Sequence, residues 1–102
     1  MDNEEVIGIV KLYAEKISSI IMVKNVYLYG SFAKGNAGSE SDIDVAVVVD
    51  GLEGDFLDTE VLLYKTRRQV DERIEPVLID ETKDVSGFLN GIKQHGTQVW
   101  GS

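Results

Sequence analysis

Cysteine is absent from the 102-residue sequence, which excludes a disulfide framework and metal sites built on thiolates. No apolar run approaches the length needed to span a bilayer, and residues 1–5 are acidic where a secretory signal would be basic. Internal repeats and low-complexity runs are also missing. We therefore expect a soluble, cytoplasmic protein that makes no use of a membrane.

Positive charge is scarce as well. Ten basic residues stand against 18 acidic ones, which gives a formal net charge of −8, and thirteen of the acids lie between Asp42 and Asp84. Proteins that bind nucleic acid along its backbone need a positive surface, so extended nucleic-acid binding is not expected. A negative surface of this kind favours divalent cations or a basic protein partner.

Apolar residues recur at helical or alternating spacing and divide the chain into helices and strands. Helices are predicted at 3–21, at 32–34, from a cap at Asp55 to about residue 71, and at 81–94. Strands are predicted at 26–29, 43–49, 74–79 and 97–100. This alternation predicts one domain, 1–102, with an α/β (α+β) fold in which helices flank a small mixed sheet.

Three details refine this fold. The 43–49 strand is apolar on both faces, which predicts a central strand covered on each side. Pro76 restricts the third strand to an edge or to a position that needs no hydrogen bond. In the third helix Leu57, Val61 and Tyr64 follow helical spacing among polar residues, which predicts that they form its apolar face.

The stretch from Gly30 to Asp44 carries the first chemical signal. Gly30 and Ser31 directly follow a predicted strand. A glycine before a helix N-terminus lets backbone N–H groups approach phosphate oxygens, and the serine hydroxyl is a further donor. The stretch fits neither the Walker P-loop nor the Gly-x-Gly-x-x-Gly motif. An ordinary turn is the alternative interpretation.

Carboxylates supply the second signal. Side chains two apart on a strand share a face, so Asp42 and Asp44 can seat Mg²⁺, which prefers oxygen ligands. The alternative is a solvated strand start at which Asp42 caps a turn. Glu75, near the start of the third predicted strand, could complete a cluster of three acids. Two metal ions held by three acids can activate a hydroxyl and stabilise a leaving pyrophosphate.

These features together resemble a known family. Gly30-Ser31, followed after ten residues by Asp42-Ile43-Asp44-Val45, resembles the signature of the DNA polymerase β-type nucleotidyltransferases. The closer resemblance is to their small prokaryotic branch, the minimal nucleotidyltransferases (MNT), and it covers almost the whole chain. It implies a polymerase β palm-like nucleotidyltransferase core.

The resemblance also implies roles for residues of the turn. Gly30 and Ser31 would hold the triphosphate of ATP or another NTP, and Lys34 would contact a phosphate. Phe32 stands where relatives often have arginine and cannot make such a contact.

The acids receive their implied roles in the same way. Asp42 and Asp44 would bind two Mg²⁺ ions, and Glu75 would bind the catalytic ion and help to deprotonate the acceptor hydroxyl. The implied reaction transfers an NMP, most simply AMP from ATP, to a hydroxyl and releases pyrophosphate.

The acceptor is expected on another chain, because the predicted fold leaves no residues for an acceptor domain. Small members of the branch resemble antitoxins that adenylylate a tyrosine of a HEPN-domain ribonuclease toxin, so the resemblance implies such a partner. Two alternatives remain open: a non-catalytic antitoxin that masks its partner, and a nucleotidyltransferase acting on a small molecule such as an aminoglycoside. The oligomeric state is also open, and an oligomer is possible.

A basic cluster on and after the third helix comprises Lys65, Arg67, Arg68 and Arg73. It is interpreted either as a solvated face or as a contact to phosphate or to an acidic partner. His95, beside a helix end, is expected at the surface rather than as a base.

Overall fold

A four-stranded mixed sheet forms the centre of the molecule. The computed structural model describes residues 3–30, 32, 41–83 and 87–101. In chain order its elements are α1 (Asn3–Ser18), β1 (Asn25–Tyr29), β2 (Ile43–Val49), α2 (Phe56–Arg67), β3 (Ile74–Asp80), a 3-10 turn (Glu81–Lys83), α3 (Phe88–His95) and β4 (Thr97–Gly101). The strand order is β3-β2-β1-β4, with β2 parallel to β3 and the other two pairings antiparallel. The predicted fold class is confirmed.

The sheet has apolar residues on both faces of its central strand. Along β2, Ile43, Val45 and Val47 belong to one core cluster with residues of α1 and α2, while Ala46 and Val48 belong to a second with residues of α3. Alternate residues of a strand point to opposite faces, so α1 and α2 cover one face and α3 covers the other. The prediction of a central strand at 43–49 is confirmed.

The third strand is an edge strand, as Pro76 requires. Its parallel partner is β2, and Pro76 lies opposite Val45 in the register. Proline has no backbone N–H to donate to a neighbouring strand. Pro76 is tolerated in β3 because one side of this strand has no neighbour among the described residues that needs such a donor.

Three predicted helix boundaries differ from the structure, and one of them is the end of the third predicted helix, which lies at Arg67 rather than near residue 71. The first helix ends at Ser18 rather than at residue 21, where the Ser18 and Ser19 hydroxyls donate to the carbonyls of Glu15 and Lys16. Such bonds compete with the helical backbone pattern. The prediction of one helix over 81–94 was wrong, because a 3-10 turn occupies 81–83 and Gly87 has a left-handed φ of 79° just before α3. Residues 84–86 lie outside the described part.

Asp80 fastens the end of β3 to two neighbouring turns. Its Oδ1 accepts hydrogen bonds from the Gly51 N–H (3.2 Å), the Thr82 N–H (3.0 Å) and the Thr82 hydroxyl (2.6 Å). Its Oδ2 accepts one from the Leu52 N–H at 3.1 Å. The Thr82 hydroxyl, with these backbone donors, lowers the pKa of Asp80 to about 2. The carboxylate thus fixes the turn between β2 and α2.

We expect Asp80→Asn to lower the unfolding temperature by on the order of 5 °C near neutral pH. The amide nitrogen would replace a carboxylate oxygen that accepts a hydrogen bond, so one donor would lose its acceptor. A carboxyl whose pKa falls on folding stabilises the protein above its unfolded pKa of about 3.9 and loses that effect as pH falls. The difference between wild type and variant should therefore shrink as pH drops from about 5 to about 2. Thermal unfolding across this range measures it. Glu53→Gln, on the exposed turn nearby, is the control, and a pH-independent difference would contradict the account.

None of the helices within the described ranges is long and apolar enough to cross a bilayer.

Candidate active site

Two acids of the predicted site lie side by side on neighbouring strands. Asp44 of β2 and Glu75 of β3 are partners in the parallel register. Partnered residues of adjacent strands point to the same face, here the one that also carries Ala46 and Val48. Asp42 precedes β2 by one residue and is exposed, whereas Asp44 is partly buried. The strand starts therefore gather carboxylates at one place on the sheet.

Gly30 touches this place directly. Tyr29, the last residue of β1, pairs with Asp44 in the antiparallel register, so Gly30 follows just beside the Asp44 side chain. A Cβ atom added at Gly30 would lie 2.2 Å from Asp44 Oδ2, and the φ of Gly30 is +73°. Both the backbone conformation and the contact disfavour a side chain at this position, because a Cβ would be strained and would displace the Asp44 carboxylate. The turn at Gly30 and the acid at Asp44 form one structural unit.

The Asp44 carboxylate lies close to the charges of two other acids. Burial raises the pKa of Asp44 above its ordinary value, and the charges of Asp42 and Glu75 raise it further. A partly buried carboxylate close to two others is stabilised by a cation. All three acids offer carboxylate oxygens, which are ligands that Mg²⁺ prefers.

The three acids do not form a closed ligand set in this conformation. Within the part of the chain that the structure describes, no group of three acidic, histidine or cysteine side chains is arranged to hold a metal ion. The carboxylate of Glu75 contacts α2 instead. Its Oε1 lies 3.3 Å from Arg67 Nη1, and its Oε2 accepts a hydrogen bond from the Tyr64 hydroxyl at 3.3 Å.

Arg67 and Tyr64 form a clamp on Glu75. The Arg67 guanidinium carbon lies 4.8 Å from the centre of the Tyr64 ring, and Nη1 also donates to the Ile74 carbonyl at 2.9 Å. Arg67 Nε is buried and has no hydrogen-bond partner among the described residues. Burial, followed by the charge of Glu75, raises the pKa of Tyr64. Sequence reasoning missed this clamp, although Tyr64 and Arg67 stand three apart and so share one helix face.

The predicted basic cluster is thus divided. Arg67 pairs with Glu75, and Arg73 pairs with Asp71 at 2.7 Å. Lys65, in α2, and Arg68, directly after its end, are exposed. His95 is also exposed, as predicted.

The apolar face predicted for α2 points outward. Leu57, Val61 and Tyr64 are 70%, 51% and 39% exposed, and they line a shallow groove of about 370 Å³. The buried residues are Thr59, Leu63 and Thr66.

Two threonines can occupy the buried face of α2 because their hydroxyls bond to the helix region itself. Thr59 donates to the Asp55 carbonyl and Thr66 to the Leu62 carbonyl, each at 2.8 Å. Asp55 caps the helix as predicted by accepting from the Asp58 N–H at 3.0 Å. The apolar face formed by Leu57, Val61 and Tyr64 consequently does not pack on the core.

A second groove opens beside Gly30. It encloses about 290 Å³ between Gly30 and α3, and its walls include Tyr29, Phe88 and His95. The rings of Tyr29 and Phe88 meet edge to face with centroids 5.9 Å apart. The groove places aromatic surface next to the carboxylates.

The remaining predicted site residues, Ser31 and Lys34, lie outside the described residues. Phe32 is helical and buried in the core on the α1 side, which accounts for an apolar residue at this position.

Comparison with known families supplies the wider context. Residues 11–101 match the model of the polymerase β nucleotidyltransferase family. The chain belongs to this family. Its predicted class, a nucleotidyltransferase, is confirmed. A Methanocaldococcus jannaschii protein that carries the name of a protein adenylyltransferase is 29% identical over 99 residues, covering 93% of this chain and 99% of the relative.

Solved structures confirm the nucleotidyltransferase fold. A Sulfolobus solfataricus protein named as a nucleotidyltransferase superposes with a TM-score of 0.70 at 20% identity, over 97% of this chain and 83% of the other. A toxin–antitoxin structure with AMP-PNP gives 0.66 at 23% identity, over 90% and 73%. A complex of a tri-AMPylated Shewanella oneidensis HEPN toxin with an MNT antitoxin gives 0.57 at 22%, over 90% and 70%.

Proposed function

We propose that this nucleotidyltransferase is a Mg²⁺-dependent adenylyltransferase that transfers AMP from ATP to a hydroxyl of a partner protein. The observation that carries the proposal is the junction of Gly30, Asp44 and Glu75, where a glycine lies against paired acids of adjacent strands. The name of the Methanocaldococcus jannaschii relative supports adenylyl transfer to protein.

Asp42 and Asp44 are the proposed seat of the metal ions, and Glu75 would join them by exchanging the Arg67 contact of Oε1 for a cation while Oε2 keeps the hydrogen bond from Tyr64. Bound Mg²⁺ would supply positive charge to the triphosphate and to the departing pyrophosphate. Ion pairs with exposed members are weak, at about 0–1 kcal/mol, so exchange of Arg67 for a cation is energetically accessible to Glu75.

The nucleotide is proposed to bind across Gly30. The backbone there can approach phosphate oxygens because no Cβ intervenes. Ser31 and Lys34 are proposed as further phosphate contacts. The groove lined by Tyr29 and Phe88 offers aromatic surface for the base, adjacent to the phosphates.

The proposed acceptor is a HEPN-domain protein in the cytoplasm. The toxin–antitoxin neighbours support this choice of partner. The stripe of Leu57, Val61 and Tyr64 supports a protein acceptor, because an exposed apolar helix face next to a site carboxylate suits a protein surface. Exposed Lys65 and Arg68 flank it and would favour an acidic rim on that partner.

The test combines the purified chain with a HEPN-domain protein from the same genome, ATP and Mg²⁺. We expect the intact mass of the HEPN protein to rise in steps of one AMP, and the increase to require both Mg²⁺ and Asp44. If wild type and Asp44→Asn bind and silence the partner equally without any mass increase, the protein acts by masking and the proposed reaction is wrong.

A further inference from the structure

One tyrosine hydroxyl of this chain contacts a site carboxylate. The Tyr64 hydroxyl donates to Glu75 Oε2 at 3.3 Å. By contrast, the buried Tyr13 donates its hydroxyl to the Leu63 carbonyl at 2.7 Å, and Tyr27 is buried in the core on the opposite side of the sheet from Tyr13. Tyr29, the fourth tyrosine, is only partly exposed and packs its ring against Phe88. Of the four, Tyr64 combines an exposed ring with a hydroxyl that donates to a site carboxylate.

The clamp orients both groups. The Arg67 guanidinium lies under the Tyr64 ring and also faces Glu75 Oε1, so phenol and carboxylate are held together by one side chain. The helix that carries Tyr64 is anchored one residue earlier, where the Leu63 carbonyl accepts the Tyr13 hydroxyl. The hydroxyl is therefore presented from a fixed element rather than from a loop.

Glu75 connects the Tyr64 hydroxyl to the proposed triphosphate position. Glu75 is the register partner of Asp44, and neighbouring strands lie about 4.8 Å apart. Asp44 in turn touches Gly30, over which the nucleotide is proposed to bind. Glu75 thus contacts the Tyr64 hydroxyl and neighbours Asp44, so it links the phenol to the proposed nucleotide site.

We propose that Tyr64 is an acceptor within the chain itself, so that the protein adenylylates its own Tyr64 when no partner occupies the acceptor side. The inference rests on the proposed adenylyltransferase function. The phenolic oxygen forms a bond to the α-phosphorus of ATP, the bond from that phosphorus to the oxygen bridging to the β-phosphorus breaks, and pyrophosphate leaves. The phenolic proton passes to Glu75.

The reaction is expected within a single molecule, because Tyr64 and Glu75 contact each other in the same chain. Its rate per molecule should therefore not depend on protein concentration. A HEPN-domain partner that presents its own hydroxyl to Glu75 should slow the self-modification, since both hydroxyls need the same carboxylate.

The experiment incubates the purified full chain, without partner, with ATP and Mg²⁺. We expect the intact mass to rise by one AMP per chain, and fragmentation of the peptide that contains Tyr64 to place the adduct on its ring oxygen. ATP radiolabelled at the α-phosphate should label the protein, whereas ATP radiolabelled at the γ-phosphate should not. Tyr64→Phe should gain no mass, and Tyr27→Phe, which removes a tyrosine hydroxyl outside the site, should react as wild type does.

Calorimetry of ATP and Mg²⁺ binding to the wild type separates the two possible failures. Binding without any mass increase would overturn the assignment of Tyr64 while leaving the adenylyltransferase proposal in place. An adduct mapped to a different residue would also overturn it. Failure to bind ATP with Mg²⁺ would instead count against the proposed function on which the inference rests.

Discussion

Asp44→Asn should reduce AMP transfer by on the order of a thousand-fold, because it removes the central negative ligand from the proposed metal seat at a cost of several kcal/mol in the transition state. Asparagine has nearly the same shape, so the sheet and the contact with Gly30 remain. Transfer rates to the proposed HEPN-domain partner, measured from its intact mass over time, provide the readout. Glu72→Gln removes an equal charge from an exposed turn and should leave the rate unchanged.

The same substitution should raise the unfolding temperature in the absence of metal. Burial and the charges of Asp42 and Glu75 raise the pKa of Asp44 in the folded state. A carboxyl with a raised pKa contributes its full stability below the unfolded pKa, and that contribution is lost as pH rises through the folded pKa. Near neutral pH the Asp44 carboxylate therefore costs stability, which asparagine restores.

Thermal unfolding in chelator at neutral and acidic pH tests this sign. The advantage of Asp44→Asn over wild type should be present near neutral pH and should shrink as pH falls and Asp44 becomes protonated. If Asp44→Asn transfers AMP at about the wild-type rate, Asp44 is not part of the active site. A variant that unfolds at a lower temperature than wild type would contradict the account of the carboxylate cluster.

Gly30→Ala should impair both activity and stability. The φ of +73° costs a residue with a Cβ about 1–2 kcal/mol. In addition the new Cβ would collide with Asp44 Oδ2, from which it would lie 2.2 Å away, so the carboxylate must move. We expect AMP transfer to fall by on the order of a hundred-fold, because misplacement of a site group by about 1 Å has an effect of that size. Unfolding temperature and transfer rate are both measured.

Gly8→Ala is the matched control for this substitution. Gly8 lies in α1, is exposed, and has no atom within 4 Å of the position where a Cβ would be added. Alanine there should stabilise the protein by about 0.5–1 kcal/mol and leave the transfer rate unchanged. The same chemical change should thus have opposite effects on stability at the two positions. Wild-type activity in Gly30→Ala would contradict the proposed contact between the turn and the acid.

The central strand and the site turn were predictable because local patterns determine them. The apolar run of β2 is accommodated in a small mixed sheet only as a central strand. Gly30 directly follows β1 and Asp44 lies near the start of β2, so pairing of these two strands brings the two residues together. Strand alternation likewise places Asp44 on the site face while Ile43 enters the core. In these cases the signal lies within a few residues along the chain.

The orientation of α2 and the clamp on Glu75 could not be predicted in this way. Apolar spacing selected Leu57, Val61 and Tyr64, but burial of Thr59 and Thr66 depends on hydroxyl bonds back to the helix region. These bonds satisfy the threonine hydroxyls, so polar residues are buried where the pattern predicts apolar ones.

The contact of Arg67 with Glu75 joins a helix to a strand, and it depends on how α2 packs against the sheet. No periodicity along either segment encodes it. For the same reason the sequence suggested a complete three-acid cluster, whereas the structure shows Glu75 held by α2.

The most direct test of the account is calorimetric titration of ATP into the protein with and without Mg²⁺, for wild type and for Asp44→Asn. We predict saturable binding to one site per chain in the wild type with Mg²⁺, and its loss in the variant and in chelator. Absence of binding to the wild type, or equal binding by both proteins, would contradict the assignment of Gly30, Asp42, Asp44 and Glu75 as the nucleotide and metal site.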